Sequence, residues 1–160
     1  MTDIFIFEQF HRHLLVKAFK SVPALNILSL TIGLVYFFFG LLKFFPSLSP
    51  AEDLAIRTID MLSLGMIPER ISIVLLAAME TGIGLMLILG WKRKAAIYLA
   101  LGHMVCTFTP LFFFPDLAFA QPTYFPSLLG QYIGKNIIIV AALITLLRQE
   151  GEQKLVFDEE

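Results

Sequence analysis

From Val22 to Leu42 the chain runs 21 residues without one charged side chain. A helix of that length rises about 30 Å, the thickness of a bilayer's hydrocarbon core. Three further apolar blocks are long enough to cross, or nearly so. Ile71–Leu89 is broken only by Glu80. Ala95–Phe114 carries His103 and Pro110, and Tyr132–Leu147 carries Lys135 and Asn136 in its first turns. A soluble core does not account for this: 58% of the 160 residues are apolar and 16% are charged, against about 45–50% and about 25% in soluble domains. The reading is a single all-α membrane domain over residues 1–160. It is a bundle of four transmembrane helices at about 22–42, 71–89, 95–114 and 132–147.

Arg12, Lys17 and Lys20 precede the first block as the basic region of a signal peptide does. The block exceeds the usual apolar length, however, and no small-residue cleavage site follows, so it reads as a retained span. Gly90-Trp91-Lys92-Arg93-Lys94 reads as a tight hairpin, with Gly90 as a left-handed cap and Trp91 at the interface. Ser49-Pro50-Ala51-Glu52 has capping-box spacing and predicts a helix over Pro50–Leu64. Asp53, Arg57 and Asp60 share one face of it, and Leu54, Ile59 and Leu62 share the other. That pattern is an interfacial amphipathic helix; the first 20 residues look similar, though less cleanly segregated. Residues 116–129 are too apolar for a free loop and read as lying on the membrane surface.

Eight of the twelve Lys and Arg fall in the N-terminus, the 91–94 hairpin and the C-terminal tail. The positive-inside rule then places both termini in the cytoplasm; the membrane expected is a bacterial inner (plasma) membrane. A net charge of −1 offers nothing to nucleic acid. The one cysteine, Cys106, excludes an internal disulfide and dithiol chemistry within the chain. The partners left are the lipid bilayer and further copies of the chain.

Asn26, Ser29, Gly33, Tyr36, Gly40 and Lys43 recur at spacings of 3 and 4, which is one stripe of a helix. Membrane helices associate through small and polar residues, so the stripe is expected to face the bundle. Ala77, Glu80 and Gly84 make a matching line in the second span. The third offers Gly102, His103, Cys106, Thr107 and Pro110; the fourth offers Tyr132, Lys135, Asn136 and Ala142. Glu80 lies roughly 15 Å and His103 roughly 12 Å from the cytoplasmic side, so the two can meet. A bare acid at mid-membrane costs about 2.5–3.5 kcal/mol. Glu80 must therefore be neutral, face a wet cavity, or pair with Lys43, Lys135 or His103. It serves either as a proton-handling or ligand-orienting group or as a helix–helix latch.

The other candidates each carry a plainer reading. His103 and Cys106 share a face, but even with Glu80 they leave a metal shell incomplete, so no metal is expected. A haem is disfavoured because His103 is the only histidine in a span. Cys106 reads as packing, and Pro110 as a kink, because it lacks the amide that bonds the Cys106 carbonyl. Lys43 and Lys135 can also snorkel to the headgroups. The phenylalanine clusters at 37–39, 44–45 and 112–114 read as a lipid-facing belt.

Three segments taken in order resemble the DoxX-like membrane proteins. Phe39-Gly40-Leu41-Leu42-Lys43-Phe44 resembles their G-x-x-K-F element. Met79-Glu80 followed by Gly82 and Gly84 resembles their acid-then-glycine helix, and Gly130–Asn136 resembles the K-N start of their last helix. The correspondence covers about residues 25–148. It implies a four-helix integral membrane fold. It also implies a membrane subunit of a redox complex, as in relatives that form the small subunit of a thiosulfate:quinone oxidoreductase or join membrane redox-defence complexes. It transfers no catalytic residue. In that reading Lys43, Glu80, His103, Lys135 and Asn136, with Tyr36, Cys106, Thr107 and Tyr132 beside them, form the polar end of a quinone-sized pocket. Electrons in that reading come from a soluble or membrane redox partner, because the sequence carries no flavin, haem or iron–sulfur motif. The alternatives are a non-catalytic membrane anchor or scaffold and, with less support, a small-solute or proton pathway.

Overall fold

The computed structural model describes residues 24–46, 48–49, 52–120 and 125–158, with side chains from residue 27 to 151. The amphipathic segment expected in the first 20 residues lies outside the described residues. So do the Pro50-Ala51 half of the capping box and the side chain of Asn26. The order is α1 (Ala24–Leu42), α2 (Glu52–Leu62), α3 (Glu69–Leu89), α4 (Arg93–Phe108), α5 (Pro110–Phe113) and α6 (Pro115–Ala118). Strands β1 (Phe119–Ala120) and β2 (Phe125–Pro126) follow, then α7 (Leu128–Gly134) and α8 (Ile137–Asp158).

Three stretches are long and apolar enough to cross a membrane: Glu69–Leu89, Arg93–Phe113 and Leu128–Gly151. Ile27–Leu42 in α1 is a shorter apolar helix. Only 39%, 28% and 22% of the three long windows are buried inside the protein. Most of their apolar surface therefore points outward, where a bilayer satisfies it and water does not.

The closest helix pair is α1 against α3, and it follows from the small-residue stripe. A Cβ on Gly84 would stand 2.5 Å from the Phe37 amide nitrogen, and one on Gly40 would stand 2.5 Å from the Thr81 amide nitrogen. Backbones approach this closely only where side chains are absent. Ser29 Oγ donates to the Leu87 carbonyl across the same seam at 2.8 Å. Around it Ile32, Ile83, Leu87, Ile97, Leu143 and Leu146 close a core shared by α1, α3, α4 and α8.

The connections differ in detail from the sequence reading. Gly90 takes the left-handed cap (φ 68, ψ 13) as expected, and Lys92 follows with φ 46. Across this end, Arg93 pairs with Glu150 at 2.9 Å and ties α4 to α8. The amphipathic helix is shorter than 50–64, because Leu64 and Gly65 turn to positive φ just beyond it. Pro110 breaks the third span as expected. The Cys106 carbonyl it leaves free is taken by the Thr109 amide at 3.2 Å and the Thr109 hydroxyl at 2.7 Å. The 116–129 stretch folds back on itself through a two-residue antiparallel ladder pairing Phe119 with Pro126, so the chain is not wholly α-helical. Ser127 fixes this return: its Oγ donates to the Leu117 carbonyl at 2.6 Å and accepts from the Gly130 amide at 3.1 Å. That cap starts the last span at Leu128, ahead of the expected Tyr132. Lys135 and Asn136 form a turn within it rather than its first residues.

Gly102 was expected in the seam, but a Cβ there meets nothing within 4 Å. The core face of α4 runs through Ala96, Ala100 and Met104. A residue two positions from Ala100 and Met104 points about 200° away. Gly84→Ala and Gly40→Ala are expected to lower stability by about 1–3 kcal/mol through overpacking. Gly82→Ala and Gly102→Ala, which meet open space, are expected to be neutral or stabilising by up to about 1 kcal/mol. Thermal unfolding of the four variants in mild detergent checks this; equal losses at all four would contradict the crossing.

Candidate functional site

Glu80 is 5% exposed in the middle of α3, on the face that carries Ala77 and Gly84. Its carboxylate has a partner at each oxygen. Lys43 Nζ donates to Oε2 at 2.6 Å, and His103 Nε2 lies 3.2 Å from Oε1. The three side chains are 7–10% exposed. One acid thus joins the end of α1, the middle of α3 and the middle of α4. Side chains on a helix lean toward its N-terminus, so a lysine just past the end of α1 aims back into the bundle. Lys43 therefore pairs inside instead of snorkelling to the headgroups, and its Nζ also approaches the Phe39 carbonyl at 3.4 Å.

The chain of contacts continues through His103. Its Nδ1 lies 3.3 Å from the Tyr36 hydroxyl, and that hydroxyl donates to the Ala100 carbonyl at 3.1 Å. The two rings meet edge-on with centroids 5.6 Å apart. Both ring nitrogens of His103 are thus engaged, Nδ1 with the Tyr36 hydroxyl and Nε2 with Glu80.

This network borders a cavity of about 480 Å³, within the roughly 300–1,000 Å³ of small-molecule sites. Tyr36, Lys43, Glu80 and His103 form one part of its wall. Tyr132, Lys135 and Asn136 come in from the last span, and Cys106 and Thr107 from α4. All nine residues singled out in the sequence line this one space. They do not all join the network. Lys135 lies over the Tyr132 ring, with Nζ 3.9 Å from the centroid, and does not reach Glu80. The Asn136 amide bonds the Ile133 carbonyl at 3.0 Å, inside the turn that interrupts the span. Thr107 spends its hydroxyl proton on the His103 carbonyl at 2.9 Å.

Two sequence expectations are corrected here. Cys106 is exposed rather than packed, because it stands two residues past Met104 and so about 200° round from the core face. The apolar face of α2, expected to lie on lipid, instead contributes Leu54, Ala55, Thr58 and Ile59 to the cavity wall. Packing against α3 turns it inward. Thr58 and Ser49 are site residues that sequence reasoning missed. Thr58 is buried, with its hydroxyl on the Leu54 carbonyl at 2.6 Å. Its place between Leu54 and Leu62 on one helix face was the available signal. Ser49 read only as a cap. No family model, curated protein or solved structure matches the chain.

Removing one member of a buried pair strands the other charge. Lys43→Met is expected to cost about 3–5 kcal/mol. Lys43→Met combined with Glu80→Gln is expected to cost less than the sum of the two single changes by about 0.5–3 kcal/mol. Unfolding of the three variants in one detergent measures the coupling, and strict additivity would remove the pair from the account.

Proposed function

We propose that the chain is a four-span, DoxX-like protein of a bacterial inner membrane, with α1 as the first crossing and both termini in the cytoplasm. In this reading it is the membrane subunit of a redox complex, and its cavity receives the head of a quinone. The observation that carries the reading is the buried Lys43–Glu80–His103–Tyr36 network on the wall of an otherwise largely apolar cavity. Ionisable groups are rare inside membrane segments and cluster at sites of function. The residues suit such a head: Lys43 has three N–H donors, of which Glu80 and the Phe39 carbonyl take two and one is left for a ring carbonyl, and Leu54, Ile59 and Ile139 give apolar walls for the ring and tail. When bound, a quinone supplies two-electron, two-proton redox chemistry. The chain's own part is to orient the head and to hold a proton between Glu80 and His103. A partner protein supplies the electrons.

The same network favours a second reading, a scaffold in which Glu80 only latches three helices together. Glu80→Gln separates the two. The redox reading expects a folded Glu80→Gln protein to lose quinone-dependent function at matched expression; the scaffold reading expects lower stability and unchanged function. For the redox reading, solvent extraction of protein purified in mild detergent is expected to release a quinone. Added quinone is expected to raise Tm by several degrees, and His103→Asn to shrink that rise. Protein that yields no quinone and shows no shift would end it.

A further inference from the structure

The wall of the cavity carries an excess of basic side chains. Among the described residues it carries Lys43, Lys135 and His103 against a single carboxylate, Glu80. Lys135 stands over Tyr132, and among the described residues no carboxylate pairs with it. Glu80 already matches Lys43, so the unmatched charge on the wall sits at the exposed Lys135, which attracts an anion entering the adjoining space. The rest of the wall is mostly apolar, with Leu54, Ile59 and Ile138 in it, and suits a hydrocarbon chain better than a small hydrated ion.

We propose that the cavity is selective for a lipophile with an oxyanion head: an apolar tail ending in a carboxylate or in an ionised ring hydroxyl. The inference rests on the reading of the cavity as a lipophile site and adds the charge of the head. Lys43 faces the head from the buried end, and Lys135 with Asn136 faces it from the last span. Lys135 is the residue to vary, because it lies outside the Lys43–Glu80–His103 network that joins the helices.

The test uses the full-length protein in nanodiscs of zwitterionic phosphatidylcholine, so that the lipid supplies no net anion. Two matched pairs are titrated at mildly alkaline pH. One is laurate against methyl laurate. The other is an alkyl hydroxynaphthoquinone against the naphthoquinone of the same tail without the acidic hydroxyl. Native mass spectrometry counts ligand on the protein, and thermal shift supplies a second readout. The acidic member of at least one pair is expected to bind about tenfold tighter than its neutral match, and the pair that shows the preference identifies the source of the head. Lys135→Gln is expected to reduce the preference several-fold while Lys135→Arg keeps it, a split that a loss of packing alone does not produce. Equal affinity within both pairs, or a preference that Lys135→Gln leaves intact, overturns the proposal. Binding of both naphthoquinones with no preference for the acid sinks this inference and leaves the redox reading standing. Preference for laurate with neither naphthoquinone bound does the reverse.

Discussion

A carboxylate in the interior of a membrane bundle is tolerable only if something answers its charge, and Glu80 is answered twice. Lys43 holds one oxygen and His103 the other. Because these partners belong to different helices, satisfying the acid also fixes where α1 and α4 stand relative to α3. Tyr36 extends the constraint by bonding His103 and the α4 backbone at once. The relative placement of three helices thus depends on a polar requirement as much as on apolar contact. This matters in a membrane, where lipid satisfies apolar side chains as well as a neighbouring helix does.

The cavity lies where regular helix stops. Lys43 sits in the turn that ends α1, Pro110 at the break after α4, and Lys135 with Asn136 at the turn between α7 and α8; all four line the space. Elsewhere the helices close on each other, most tightly at the glycines of α1 and α3. Interrupted backbone at membrane depth is tolerated where it is enclosed by protein or lines a cavity. The Thr109 hydroxyl and amide on the Cys106 carbonyl show how one such break keeps its hydrogen bonds satisfied.

Much of this was legible in the chain. The stripe from Ser29 to Lys43 needed only helical spacing, and its partner line at Ala77, Glu80 and Gly84 needed only the same count. Gly90 announced its own left-handed turn. Legibility ended where the answer depended on angles between helices. Gly102 and Cys106 were placed by residue type, whereas the core face of α4 through Ala100 and Met104 sends both away. Glu80 had three plausible partners in the sequence; the lean of the Lys43 side chain and the level of His103 chose two. The apolar face of α2 looked the same whether it met lipid or a cavity, and packing against α3 turned it inward. The first crossing is read from an uncharged run beginning at Val22, of which the described residues cover the part from Ala24.

The crossing of α1 and α3 at Gly33, Gly40 and Gly84 has an evolutionary corollary. Where two ordinary side chains meet, a gain in bulk on one helix can be offset by a loss on the other. At Gly84 a Cβ would meet only the backbone of Gly33 and Phe37, which has nothing left to give up, so no smaller side chain on the facing helix makes room for a larger one there.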